Sequence, residues 1–533
     1  MTNSRGLRRV AAASGAMALA VALVLSGCTS GGEDAAEPLR VNGSEPANPL
    51  TPADTDEMGG YRLLQALYAG LVTYDAGGGT IDDVAESIEA NADNTVYTIT
   101  IRNGSVFSNG EPVTANAFVD AWDWIALSSH KSVNQHFFSD IKGYAADKDS
   151  SLIAAGGLVV IDDDAFEVHL RAPSSDFRQR LGHPVFSPMP EAFFEDPVTF
   201  AEHPIGNGPY MLDGDDAWKH GQRVQLVVNP EYEGEREPEN SGLTMLLYDS
   251  LDLAYADLLS GNLDVLDTLP TSSLGTFEDE LGNRDIDQPL AVLETITIPA
   301  DVPHFAGPEG VLRRTALSAA FDRAKIAEKI FGVKRIAARD FASASLDTFT
   351  DELAGSQNLG FDDGEAVDLW AEADKLSPWE GTFEIAYNTD GGHRDWVDAV
   401  AAQISSTLGI EAVGKPYPSY AALQEAIADG SVGSAYRAVV RADYPGVLPF
   451  LTPYLTGAGY SNAEFASLLA EGAAAKTQGD AQNAYSAAQS VLLTDLPALP
   501  LWNSTTQAGY AEGLEDVAID WHGVPLYDAI RRS

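Results

Sequence analysis

Cys28 is the only cysteine among 533 residues, and its neighbours give it chemistry. It closes the run Leu25-Ser-Gly-Cys28, which matches a lipobox. Small side chains at 26 and 27 admit a peptidase, and the thiolate can then take a diacylglyceryl group. Two acyl chains anchor stably where one does not. Upstream, Arg5, Arg8 and Arg9 form a basic region, and Val10 to Leu25 is apolar apart from Ser14. That stretch is too short and alanine-rich for a spanning helix and fits a signal-peptide core. The expectation is a cleaved leader over 1–27 and a lipid on Cys28. The chain would then sit on the extracytoplasmic face of a cell membrane.

Other reactive constellations are absent from the sequence. The nine histidines form no H-E-x-x-H, and no G-x-S-x-G occurs. Gly409 to Gly414 and Lys415 look like a phosphate loop, but Pro416 stands where a magnesium-binding hydroxyl is needed. The run also follows a helical pattern instead of a strand. Asp93 and Asp163 could pair as a glycosidase dyad, as could many acids in a chain this acidic. With its cysteine already assigned, the chain has no thiol for disulfides or thiolate metal sites. The expectation is a binder with no catalytic group, no metal and no cofactor. The net charge of −47 repels phosphate backbones, so nucleic acid is not an expected partner. The acids are scattered, which describes a solvated surface.

The elements that carry any site follow from length and pattern. Residues 28–36 are small, polar and acidic, and read as a tether. About 500 further residues exceed a single core, so two or three domains are expected. Val224 to Val228 and Leu243 to Leu247 alternate like strands. Thr114 can cap a helix with Phe118, Trp122 and Ile125 on one face. Leu317, Phe321, Ala324 and Phe331 mark a second helix. Val397, Ala401, Ile404 and Leu408 mark a third, ended by Gly409. Mixed strands and helices over this length indicate an α/β (mixed α+β) class.

Several stretches, taken in order, resemble the extracellular solute-binding proteins that serve peptide and nickel ABC importers. They begin with Asn42-Gly-Ser-Glu-Pro, Leu67 to Asp75 and Val84 to Ser87, then Tyr97 to Arg102 and Phe107-Ser-Asn-Gly110 to Ala115. Gly206-Asn-Gly-Pro-Tyr210, Asn229 to Tyr232, Ser260 to Asp264 and Arg314 to Arg323 follow. Ala442-Asp-Tyr-Pro445, Tyr460 to Phe465 and Leu499-Pro-Leu-Trp502 complete the set. The resemblance implies a two-lobed clamshell with a hinge and an extra domain inserted in lobe one. Lobe one maps to 37–80, 200–295 and 498–533, the inserted domain to 81–199 and lobe two to 296–497. Most of these motifs read as structural, Trp122, Asp322 and Arg323 among them.

Within that family the oligopeptide binders are the nearer likeness, through Asn42 to Glu45 and Arg441 to Tyr444. They treat peptide as an added strand, through backbone bonds indifferent to side-chain identity. The resemblance places Asp443 against the ligand amine and Arg437 and His393 against its carboxylate. Val439 and Arg441 would offer backbone. Asp56 and Met58 would supply the facing wall, with Asn134, Tyr420 and Trp502 as side-chain pockets. Ala428 and Phe331 stand where some peptide binders hold further cations, and residues 134–140 lack the usual tyrosines. The implied partners are a peptide and the permease and ATPase of an ABC importer, with the binder monomeric. The alternative is the same fold holding an oligosaccharide, a metal chelate or a signalling peptide, with Trp396, Trp502 and Trp521 as sugar platforms. An enzyme or structural lipoprotein on the same clamshell is a further class.

Overall fold

The computed structural model describes residues 37–533, except 333, 334, 347, 348, 351 and 458. Cys28, the leader and the tether lie outside the described residues.

The strands that organise the molecule are β1 (Leu39–Gly43), β2 (Ala85–Ala90), β3 (Val96–Ile101), β4 (Leu158–Asp162), β5 (Ala165–His169), β6 (Tyr210–Leu212) and β7 (Arg223–Val228). They continue with β8 (Gly242–Leu247), β9 (Val265–Leu266), β10 (Asp285–Thr297), β11 (Thr382–Asn388), β12 (Glu411–Tyr417), β13 (Ala435–Arg441) and β14 (Ala498–Tyr510). Ten of them form one long sheet in the order β12-β11-β13-β10-β14-β9-β1-β8-β7-β6. Neighbours are parallel at β12-β11-β13 and β9-β1-β8, and antiparallel elsewhere along it. A separate four-stranded sheet, β2-β3-β5-β4, is built from the stretch expected as the insertion. In β3 the alternation of Tyr97, Ile99 and Ile101 buries one face.

Two large hydrophobic cores organise the described residues, with two smaller clusters beside them. The first gathers Leu39, Val41, Leu226, Leu243 and Met245 with Ile99, Phe118, Trp122 and Phe166, so the four-stranded sheet shares the first lobe's core. The second gathers Leu293, Ile296, Leu317, Ile385, Trp396, Val400, Leu492 and Trp502. Strands β10 and β14, 13 residues each, run from one lobe into the other. They pair from Asp285 opposite Gly509 to Thr297 opposite Ala498, and the register slips between Pro289 and Leu293. A break in a two-strand crossover is where a hinge can bend. Tyr74 and Trp521 meet edge to face there, with ring centroids 5.7 Å apart.

The motifs behind the family resemblance meet one another. Asn207 exchanges hydrogen bonds with the backbone of Ala69, at 3.1 and 3.0 Å. A Cβ on Gly206 would lie 1.8 Å from the Leu67 carbonyl oxygen, so only glycine allows that approach. Ser108 donates its N–H to the Gly206 carbonyl at 2.8 Å. Trp122 is fully buried and donates to the Phe186 carbonyl at 3.1 Å.

The helix expected from Leu317 to Phe331 is two helices, α1 (Gly307–Ala319) and α2 (Arg323–Phe331). The Asp322 carboxylate accepts from the Lys325 N–H at 3.0 Å and starts the second one. Arg323 is buried and donates to the carbonyls of Ser318, Leu359 and Pro500. Apolar spacing carries through the break, so periodicity alone could not show it. The helix Arg394–Leu408 ends at Gly409 in the left-handed region, as the sequence indicates.

Candidate functional site

Strand β13 supplies the site's frame. One edge, from Tyr436 to Arg441, pairs with β10. The other edge meets β11 only at Ala435 and Tyr436. Among the described residues, no strand lies beside that edge from Arg437 onward. Alternate backbone N–H and C=O groups there face open space, which is the template a peptide needs to add as a strand. Arg437 lies near one end of the free edge and Asp443 just past the other. Six residues of extended chain separate them by roughly 20 Å.

Asp443 borders a cavity of about 710 Å³ with Val439 and Arg441. Tyr436, Tyr444 and Tyr454 share that side, and His136, Phe137, Arg180 and His183 come from the other lobe. Among the described residues, no donor hydrogen-bonds the Asp443 carboxylate. Solvent reaches it, yet the surrounding protein strips enough hydration to hold its carboxyl above the usual range. His136, Arg441 and Arg180 pull weakly the other way. Arg180 is already committed, to Asp140 at 2.5 Å and Asp176 at 3.4 Å. The Tyr444 hydroxyl also donates to Asp176, which fixes the turn carrying Asp443.

The opposite end is built differently. Arg437 is buried and donates through Nη1 to Asn388 Oδ1 at 3.0 Å, while its Nε lacks a partner. His393 accepts from the Trp396 indole N–H at 3.2 Å. Burial, then Arg437 and Arg335, push the His393 pKa down to about 4, so the imidazole is neutral at neutral pH. Arg335 escaped the sequence reading. It lies on a short strand, Arg335–Ala337, paired with β14. Its guanidinium sits 4.9 Å from the centroid of the Phe331 ring and 3.7 Å from Glu294 Oε1. Phe331 is one of the two positions that the sequence reading set against further cations. A cation four residues later is legible, but its return over that ring is a tertiary fact.

The remaining expected residues do not converge on the cavity. Asp56 is exposed and accepts from Asn48. Met58 opens a helix, Met58–Leu67, whose cap is Glu57, so no contact strand forms there. Asn134 is buried and donates to the carbonyls of Pro52 and Thr55 at 3.0 and 2.7 Å. Tyr420 is exposed at the start of another helix. Trp396, Trp502 and Trp521 are buried to within 1% and offer no open face to a sugar. The sequence reading missed Phe137 and His183, whose rings stack 4.4 Å apart on the first-lobe wall. Among the described residues, no group of three or more His, Cys, Asp or Glu side chains could hold a metal ion. No helix there is long and apolar enough to cross a membrane.

Residues 80–462 match the family described as bacterial extracellular solute-binding proteins, family 5 middle, which is more than half the chain. The oligopeptide-binding protein OppA of Bacillus subtilis is 24% identical over 66% of this chain and 65% of its own length. This chain thus spans just under two thirds of that relative. Among solved structures, the unliganded open form of the periplasmic murein tripeptide binding protein MppA matches at a TM-score of 0.81. It is 21% identical and covers 94% of this chain and 98% of its own. Haemophilus influenzae OppA in complex with RPPGFSPFR matches at 0.65, with 22% identity over 93% and 98%. Both likenesses show the two-lobed fold, and the higher score is with the open one.

Proposed function

Because this chain belongs to the bacterial extracellular solute-binding proteins of family 5, we infer that it captures oligopeptides in its interlobe cleft for an ABC importer. The observation that carries this is the free edge of β13, with an unpaired carboxylate at one end and guanidinium groups at the other. A short peptide presents the complement: a backbone ladder, an ammonium and a carboxylate. Closure of the lobes would bury all three, which yields affinity with no reactive group. The relative named as an oligopeptide binder supports the same ligand class. Delivery to a permease, and a lipid on Cys28 that keeps the binder near it, complete the reading.

Gentle purification followed by native mass spectrometry tests it. The expected adducts have peptide masses, released intact on unfolding. Sugar or chelate masses would overturn the ligand class. Turnover of a mixed peptide library beyond the protein's stoichiometry would revive an enzyme. The anchor has its own test: Cys28→Ser should move the protein from the membrane fraction to the soluble one, and retention on membranes would refute the lipid.

A further inference from the structure

The two large cores touch along a line that starts at the crossover of β10 and β14 and leads away from it. Near the crossover the Tyr74 hydroxyl, packed in the second core, donates to the Gln179 carbonyl. Gly78 lies so close to Pro445 that a Cβ there would collide with the proline ring. Next along the line, the Tyr444 hydroxyl donates to Asp176, and the Arg180 guanidinium lies 5.4 Å from the centroid of the Tyr444 ring. The line ends on the helix Ala463–Ala473, whose Phe465 and Leu469 belong to the second core. The last carbonyls of a helix have no donor within it. Side chains of the first lobe supply donors here. Asn94 Nδ2 donates to the carbonyls of Ala473, at 3.2 Å, and of Ala475 just beyond, at 2.7 Å. Ser175 Oγ donates to the Gly472 carbonyl at 2.8 Å.

Both donors are held from behind. Asn94 sits in the turn between β2 and β3 at a φ of +54°, a left-handed conformation that asparagine adopts more readily than most residues. Its carbonyl accepts from the Ser174 N–H at 3.1 Å. Ser174 Oγ donates to Asp176 at 2.7 Å, and the Ser174 carbonyl accepts from the Tyr97 hydroxyl of the first core. Asn94, Asp176, Tyr444 and Tyr485 are all buried.

We propose that this line is a second, non-covalent pivot, which keeps the lobes in contact as the cleft opens and confines their motion to rotation about it. A two-stranded crossover alone can both bend and twist. A second attachment remote from it removes the twist, because two fixed points leave only rotation about the line that joins them. The cavity of about 710 Å³ shares Arg180 and Tyr444 with that line, so rotation about it opens and closes the cavity. Parting the contact would strip Asp176, Gly472, Ala473 and Ala475 of these donors together, and water would have to replace each one. The motion is the same whatever the cleft holds.

Hydrogen exchange of the Cys28→Ser protein, purified without added peptide, tests the pivot. The Ala474 and Ala475 amides donate to the carbonyls of Ala470 and Gly472 and should be protected. In Asn94→Gly with Ser175→Ala they should exchange at least about tenfold faster, the ratio for ~1.4 kcal/mol of local stability. Glycine keeps the left-handed φ accessible, so the variant loses the amide and not the turn. Thermal melting checks its fold, and Asn94→Gly alone serves if the pair does not fold. Small-angle X-ray scattering reads the lobes, whose radius of gyration should rise in the variant. Exchange unchanged by the substitutions would mean that the contact is parted in solution, and would overturn the pivot. Faster exchange with an unchanged radius of gyration would make the contact a local helix cap with no hold on the lobes, and would overturn it equally.

Discussion

The two ends of the free edge differ in who satisfies the charge. At the Asp443 end the protein leaves a carboxylate with no hydrogen-bond donor among the described residues, partly stripped of water. At the Arg437 end the guanidinium is buried against Asn388, and a neighbouring histidine is already neutral. An unsatisfied charge costs the empty protein stability and returns that cost when its partner arrives. A charge that already holds a hydrogen bond costs less to keep buried and gains less from ligand, and at Arg437 only the Nε is left to gain one. The first end is thus poised for affinity, and the second is part of the lobe's own structure that a ligand can share.

This contrast predicts opposite signatures for two substitutions. The largest effect belongs to Asp443→Ala. If closure buries an ammonium against it, loss of the carboxylate strands the ammonium, at about 3–5 kcal/mol or roughly two to three and a half decades in Kd. The folded carboxyl is held above its unfolded range, so its ionised form opposes folding at neutral pH, and that penalty fades as pH falls. Asp443→Ala should therefore melt no lower than wild type while binding almost nothing. A clear drop in Tm would show that the carboxylate has a structural partner and would erase the distinction between the ends.

Arg437→Ala comes second. It removes a charge-assisted hydrogen bond, worth about 1.5–3 kcal/mol, and leaves Asn388 Oδ1 without that donor. Stability and affinity should fall together, with Kd rising about ten- to a hundredfold. Arg335→Ala should do less. Its guanidinium is spread between Glu294, Phe331 and Ser504, so the expected loss is about tenfold or smaller, confined to peptides long enough to reach it. A uniform loss across peptide lengths would place Arg335 in the lobe's structure alone.

The difference between the ends also explains what the sequence could reveal. The clamshell was legible because its motifs are structural: Gly206 and Asn207 fit only against Leu67 and Ala69, so the residue types and order are constrained. Asp443, Val439 and Arg441 come together at one cavity because they follow one another along a strand and just past its end. Arg335, Phe137 and His183 were not legible, because each comes to the site from a separate element. Asn134 shows the converse. It lies near Phe137 in sequence, but its amide is spent on the carbonyls of Pro52 and Thr55. Asp56 and Met58, expected to supply the facing wall, flank Glu57, which caps a helix there through the Gly59 and Gly60 N–H groups.

The smallest expected effect is the most discriminating test of the Arg437 end. Burial, Arg437 and Arg335 hold the His393 pKa near 4, while Asp390 pulls weakly upward. The unfolded value is about 6.5. Protonation therefore favours the unfolded chain, and His393 costs the empty protein stability as pH falls from about 6.5 towards 4. A peptide carboxylate beside Arg437 and His393 would offset the two guanidiniums and raise the histidine's pKa. Binding should then take up a fraction of a proton between about pH 4 and 6.5, and affinity should rise by about tenfold at most on acidification through that window. Calorimetry in two buffers of different ionisation enthalpy measures that uptake directly. His393→Gln should abolish the uptake and leave the Asp443 end unaffected. Asp443 gives the opposite sign: an arriving ammonium lowers its pKa, so binding there releases protons, and only the histidine variant separates the two. If the uptake persists in His393→Gln, the carboxylate end of the ligand lies elsewhere than beside Arg437.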